Sequence, residues 1–235
     1  MNRLPKNPSP FKHLKKCFIA GGAILSAVTK TDPADYDIYP KSRLGALNVI
    51  YSLLEDEDCF VVNISDRAVT LKLSNSTYNL FDERILAQVM LFDEFETAEK
   101  IFEFFDFTVC MAAFDCDSAE YVFHDDFFID VGSKTLRFNP KTRYPLNSMM
   151  RIGKYRGKGY TLPVSEMVRM SLTLLQSNPP TSWEELESLI GGTYGRQFKL
   201  QIVNDMPFSI DAAIQLFDNL DVTNLTIGSD DFSKL

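Results

Sequence analysis

The feature that most restricts the fold is a pair of glycines, Gly21 and Gly22, set between a short apolar run, CFIA at 17–20, and the helical spacing of AILSAVT. A buried strand that stops at two residues without Cβ atoms and restarts as a helix is a strand, turn, helix unit. Such a turn gathers backbone N–H groups and the positive end of a helix at one point, where an anion is readily held. Asp32-Pro33 ends the helix, and YDIYP alternates as a second strand with Asp35 and Asp37 on one face and Tyr36 and Ile38 on the other. Two carboxylates so placed repel each other unless a cation lies between them, which makes the pair a candidate site for a divalent metal. The spacing alone is weak, because an acidic chain produces it by chance, and Asp115-Cys116-Asp117 is a second instance. The glycine turn shortly upstream is what separates Asp35 and Asp37 from that background.

A chain of 235 residues that is 45% hydrophobic and 24% charged can form one substantial core, or a core domain with a smaller helical appendage. No apolar run reaches bilayer length, and MNRLPKNPSPFKHLKK leads into CFIA rather than into a cleavable signal, so a soluble cytoplasmic protein without membrane contact is expected. Cys17, Cys59, Cys110 and Cys116 form no CxxC pair and read as buried thiols in a reducing setting. The only histidines, His13 and His124, exclude metal sites built on several imidazoles, so His124-Asp125 is not read as a phosphohydrolase dyad. A net charge of -8 argues against indiscriminate coating of nucleic acid. The basic residues are nevertheless segregated. No acidic residue precedes Asp32, and none interrupts the stretch from Lys134 to Tyr160, which holds Arg137, Lys141, Arg143, Arg151, Lys154, Arg156 and Lys158. Such a stretch is either a solvated face or the border of a polyphosphate or strand-binding cleft.

Further along, residues 42–55 read as an amphipathic helix, CFVVNIS, AVTLKLS and ILAQVML as strands, and ETAEKIFEFF as a helix. FDFTVCMAAFD reads as a strand with room for a kink and YVFHDDFFIDVGSKTLRF as an extended or hairpin region. Helices follow near 145–156, 164–177, 182–189 and 209–219, with Ser182 and Glu185 as a capping box and Ser209 as an N-cap. The phenylalanines at 102, 104, 105 and 107 are expected in the core, and Trp183 is expected to anchor the helix it opens. The expected fold class is α/β (α+β): a head over residues 1–140 with a small mixed sheet flanked by helices, then a short helical C-terminal region over 141–235.

Three ordered motifs carry a family resemblance. FIAGGAILSAVTKTDPADYDIYP resembles the opening GGxVRD and DxD motif of the nucleotidyltransferase superfamily (DNA polymerase β-like fold), in particular the head domain of CCA-adding enzymes and bacterial poly(A) polymerases. FFDFTVCMAAFD is similar to RRDFTINAMAYN and aligns Asp106 with its aspartate, and FIDVGSKTLRFN with YPLNSMMRIGKYRGKGYTLP follows in the same order. The resemblance implies a Mg²⁺-dependent nucleotidyltransferase that passes a nucleotide from an NTP, ATP or CTP, to an acceptor hydroxyl such as a tRNA-type RNA 3′ end. It implies two Mg²⁺ ions on the catalytic carboxylates Asp35, Asp37 and Asp106, and a nucleotide held by Gly21, Gly22, Ser26, Arg151 and Lys154. The chain departs from the pattern at Leu25 and Ser26, in place of Arg and Asp, at Phe104 and Phe105, in place of paired arginines, and at Cys110, in place of Asn. Phenylalanine cannot hydrogen-bond phosphate or sugar. Two further readings follow: an inactive member of the fold that binds RNA or a protein partner, and a toxin-like transferase that modifies a protein or tRNA.

Overall fold

In a computed structural model of the chain, residues 4–55, 57, 59–73, 85–176, 178–193, 196–197 and 206–219 are described. In chain order the elements are β1 (Cys17–Ala20), α1 (Gly22–Thr29), β2 (Tyr36–Pro40), α2 (Arg43–Glu55), β3 (Cys59–Ile64), β4 (Ala68–Leu73), β5 (Leu86–Met90), α3 (Ala98–Phe102) and a 3-10 turn over Thr108–Cys110. These are followed by β6 (Ala112–Asp115), β7 (Glu120–Phe123), α4 (Phe127–Ser133), α5 (Pro145–Gly157), α6 (Val164–Leu175), α7 (Trp183–Ile190), β8 (Gly192–Thr193), β9 (Arg196–Gln197) and α8 (Ile210–Asn219).

Seven strands form one sheet in the order β3-β4-β5-β2-β1-β6-β7, antiparallel throughout except for the parallel pairing of β2 with β5, so the sheet is mixed as expected. Alternation gives the sheet two apolar faces. Ile19, Ile38, Ala112 and Phe114 point to the side covered by Ile24 and Leu25 of α1 and by Val49 and Leu53 of α2. Phe18, Ala20, Tyr39, Met111 and Ala113 point to the other side, against Phe95, Ile101 and Phe102. The first of these cores runs on past position 140, since Tyr155, Tyr160 and Met170 belong to it.

Three elements differ from the sequence expectation. The strand read over FDFTVCMAAFD is a 3-10 turn at Thr108–Cys110, in which Cys110 N donates to Phe107 O at 3.0 Å and Met111 N to Thr108 O at 2.9 Å, and β6 begins only at Ala112. The helix read over ETAEKIFEFF stops at Phe102, because Asn139 Nδ2 caps its end by donating to the carbonyls of Phe102 at 3.2 Å and Phe105 at 2.8 Å. The region read as extended after β7 contains α4, in which Phe127 and Asp130 share a buried side and Lys134, in the left-handed conformation, closes the last turn. Its richness in aromatic residues imitates a strand, while the buried positions repeat with helical spacing. The four later helices form where expected. Ser182 accepts from Glu185 N at 3.2 Å, though Glu185 reaches back to Thr181 N at 2.7 Å rather than to Ser182. Ser209 accepts from Ala212 N at 3.0 Å, and Trp183 donates to Met206 O at 2.8 Å. No helix among the described residues is long and apolar enough to cross a membrane.

Candidate functional site

Strand register assembles the site. Ala20 of β1 pairs with Asp37 of β2, and Asp37 pairs with Gln88 of β5, so the turn that follows Ala20 lies beside the Asp37 carboxylate. Gly21 takes φ 77 and ψ -130, a conformation few residues other than glycine adopt, and its carbonyl accepts from Ile24 N and Leu25 N at 3.1 Å each to start α1. A Cβ on Gly21 would lie 3.3 Å from Phe105 Cζ and 3.8 Å from Asp37 Oδ2, whereas one on Gly22 would meet nothing within 4 Å. The turn is therefore closed at Gly21 and open at Gly22. Ser26 is buried within α1.

Asp35, just before β2, accepts from Gln88 Nε2 at 3.1 Å. Among the described residues Asp37 Oδ1 and Gln88 Oε1 are sealed from solvent without a hydrogen-bond partner. Burial pushes the Asp37 carboxyl up to about 8, with the Asp35 charge adding to the rise and Arg151 and Lys154 pulling it back. Lys154 is pushed down, first by burial and then by Arg151, while Asp35 acts the other way. A buried carboxylate with a second carboxylate at hand and an unmet acceptor oxygen demands positive charge, so Asp35 and Asp37 fit a hard divalent cation.

Helix α5 supplies the facing chemistry. Its Ser148 Oγ donates to Asp106 Oδ1 at 2.9 Å and its Arg151 Nη1 pairs with Asp106 Oδ2. Tyr155, one turn on, sits with its Oη 2.7 Å from Cys110 Sγ. Gly21, Gly22, Asp37, Gln88, Asp106 and Arg151 all border one cavity of about 180 Å³. Asp37 and Asp106 thus share a cavity, yet among the described residues no three His, Cys, Asp or Glu side chains converge as metal ligands. Both oxygens of Asp106 are engaged by α5.

Sequence reasoning passed over Gln88 and Ser148. Gln88 is the one polar residue of LAQVM, a signal that was available. Ser148 stands three residues before Arg151, so helical spacing already placed it on Arg151's side of α5. Of the four phenylalanines expected in the core, Phe102 and Phe107 are buried, while Phe104 and Phe105 are half-buried against it, Phe104 beside Phe92 at 5.2 Å and Phe105 beside Tyr39 at 6.0 Å, and border the cavity. The second D-x-D is a closed ion-pair network, with Lys41 Nζ 2.8 Å from both Asp115 and Asp117. All four cysteines are buried thiols outside any disulfide.

The fold of this chain is similar to that of nucleotidyltransferase head domains. The solved structures similar to it include a CCA-adding enzyme in complex with CTP (TM-score 0.52, 15% identity, 73% of this chain and 43% of that one). Another is the Thermotoga maritima CCA-adding enzyme complexed with tRNA (TM-score 0.51, 14% identity, 79% of this chain and 47% of that one). A tRNA nucleotidyltransferase complexed with a primer tRNA and an incoming ATP analog matches with TM-score 0.51 and 14% identity over 68% of this chain and 47% of its own. At such identities the likeness concerns the fold. Residues 2–134 match the family described as Gabija anti-defense 2, and a protein of Bacillus phage SPbetaL7 named Gabija anti-defense 2 is 36% identical over 181 residues. The chain belongs to the Gabija anti-defense 2 family. The match covers 77% of this chain and 42% of the phage protein, so the chain spans less than half of that relative's length.

Proposed function

We propose that the chain transfers a nucleotide from an NTP to an acceptor hydroxyl, with RNA as the acceptor class. The observation that carries this reading is the buried Asp37 oxygen left without a partner, beside Asp35 and against the glycine turn. Asp35 and Asp37 would hold Mg²⁺, which when bound supplies Lewis-acid polarisation of a phosphate and neutralises developing charge. Gly22 leaves room for a phosphate to approach the backbone at the start of α1. Lys154 adds positive charge near Asp35, and Asp106 with Ser148 fixes Arg151 at the cavity wall, ready to meet an anionic ligand. In this arrangement Asp106 serves first as the anchor of Arg151. Support for nucleotide and RNA partners comes from the CTP and tRNA complexes of the similar folds. The anti-defense role in the phage relative's name suits a transferase whose acceptor belongs to a defended cell.

Phe105 against Gly21 favours a second reading, a scaffold that binds RNA or a protein partner without chemistry, because a ring there narrows the space beside the turn. Incubation with each labelled NTP, Mg²⁺ or Mn²⁺, and total cellular RNA and protein separates them. Label is expected in RNA, and it should vanish in the Asp35→Ala/Asp37→Ala variant. Label in protein moves the acceptor to a protein side chain, and no label with any NTP leaves the scaffold reading.

A further inference from the structure

The chain has 24 Lys and Arg against 32 Asp and Glu, so a guanidinium that borders a cavity without a carboxylate partner stands out. Arg67 and Arg143 are two such groups, since among the described residues neither forms an ion pair. Asp93 lies close enough for Arg143 to be felt, but it bonds Lys100 at 3.0 Å. Arg67 sits at the head of β4 in a fixed turn, its N–H donating to Ser65 Oγ at 3.2 Å and its carbonyl accepting from Leu91 N at 2.7 Å. Its Nη1 donates to Tyr144 Oη at 2.7 Å, and the guanidinium lies 5.3 Å from the Tyr144 ring and 5.5 Å from the Phe92 ring. Arg143 stacks 4.7 Å over Phe104. Aromatic faces hold both forks in place and leave N–H donors over, which is preorganisation for an anion rather than a structural ion pair.

We propose that Arg67 and Arg143 form a phosphate-binding subsite in the wall of the cavity that Asp37 and the glycine turn also border. Arg67 lies in the turn before β4, against Phe92 and Tyr144, and Arg143 lies in the loop before α5, against Phe104. The ligand is a nucleotide phosphate, from an NTP or from an RNA strand, and that choice of ligand rests on the transferase reading. Binding is measured by calorimetry without divalent metal, using ATP, inorganic tripolyphosphate, adenosine and a short RNA oligonucleotide. The proteins are the wild-type chain, Arg67→Met, Arg143→Met and the double variant. Each single change is expected to weaken ATP and tripolyphosphate about 10-fold, and the double change about 100-fold, with adenosine unaffected. A larger loss for ATP than for RNA assigns the subsite to the NTP, and the reverse assigns it to the strand. Arg143 is exposed and its replacement leaves the core intact, so it carries the test alone if melting shows that Arg67→Met is unfolded. Unchanged affinity for every phosphate ligand, or a wild-type chain that binds none, overturns the subsite. Arginine-dependent binding without label transfer would leave the subsite standing and remove the transferase reading, whereas transfer unaffected by both arginines would do the opposite.

Discussion

Asp35-Tyr36-Asp37 and Asp115-Cys116-Asp117 have the same spacing and occur at the two strands that flank β1, yet their surroundings are opposite. Lys41 reaches both Asp115 and Asp117, Lys16 N donates to Asp117 at 2.9 Å, and Lys41 is itself seated 4.6 Å over the Phe18 ring. At the other pair, the nearby cations are Arg151, already bound to Asp106, and a half-buried Lys154, and one Asp37 oxygen faces no donor among the described residues. The protein completes one D-x-D internally and leaves the other short of positive charge. A spacing pattern is thus a poor guide to a site, while a buried charge demand that the chain itself does not meet is a good one.

The largest expected effect breaks or upholds that contrast directly. Under the transferase reading, which puts Mg²⁺ on these two carboxylates, Asp35→Ala/Asp37→Ala should reduce label transfer at saturating Mg²⁺ by about 10³-fold or more. Asp115→Asn/Asp117→Asn should stay within about 3-fold of wild type, because those residues border no part of the cavity. Equal losses in side-by-side assays would end the distinction between the two pairs.

A smaller effect sharpens it at the glycine turn. Gly21→Ala must hold φ 77 and ψ -130 with a methyl 3.3 Å from the Phe105 ring, and should lower stability by about 1–3 kcal/mol in urea unfolding. Gly22→Ala meets nothing within 4 Å at the start of α1 and should be neutral or stabilising by up to about 1 kcal/mol. If Gly22 faces the ligand, that variant should still bind ATP several-fold less tightly, so stability and affinity part company at adjacent residues. Unchanged ATP affinity in Gly22→Ala would remove Gly22 from the site.

The strand, turn, helix opening and the alternation of YDIYP were legible because apolar periodicity fixes which face is buried, and the observed register places Asp37 where alternation put it. Motif order suggested the fold that the similar structures share. What stayed hidden was long-range. Nothing near Asp106 in the chain announces that Ser148 and Arg151 take both its oxygens, since that depends on how α5 docks. Arg67 likewise reads as a residue of the β3-β4 turn, and only the sheet order brings it to Tyr144. Lys41 next to Asp115 was equally invisible, so the glycine turn was the only sequence feature that set the two D-x-D patterns apart.

The smallest effect lies in the pH dependence of stability, where the two pairs carry opposite signs. The folded chain holds the Asp37 carboxyl near 8, above the ordinary carboxylate value of about 4, so it favours the protonated form. Its contribution to stability is complete below about pH 4 and is lost as pH rises through about 8. For Asp117, burial pushes the group up but is outweighed by the Lys41 bond and the Lys16 N–H, and its pKa is lowered. That contribution is present above the ordinary value and is lost only as pH falls through the depressed one. Thermal melts of metal-free protein from pH 4 to 9 should therefore show a decline toward the alkaline side that Asp37→Asn flattens, with a gain of a few degrees at pH 8, at about 2–4 °C per kcal/mol. Mg²⁺ should raise the wild-type midpoint more at pH 8 than at pH 5, because the ion competes with a proton for Asp37, and should raise the Asp37→Asn midpoint less at either pH. An alkaline decline that persists in Asp37→Asn would assign it to other groups and leave the pair without the charge demand on which its role as a cation site depends.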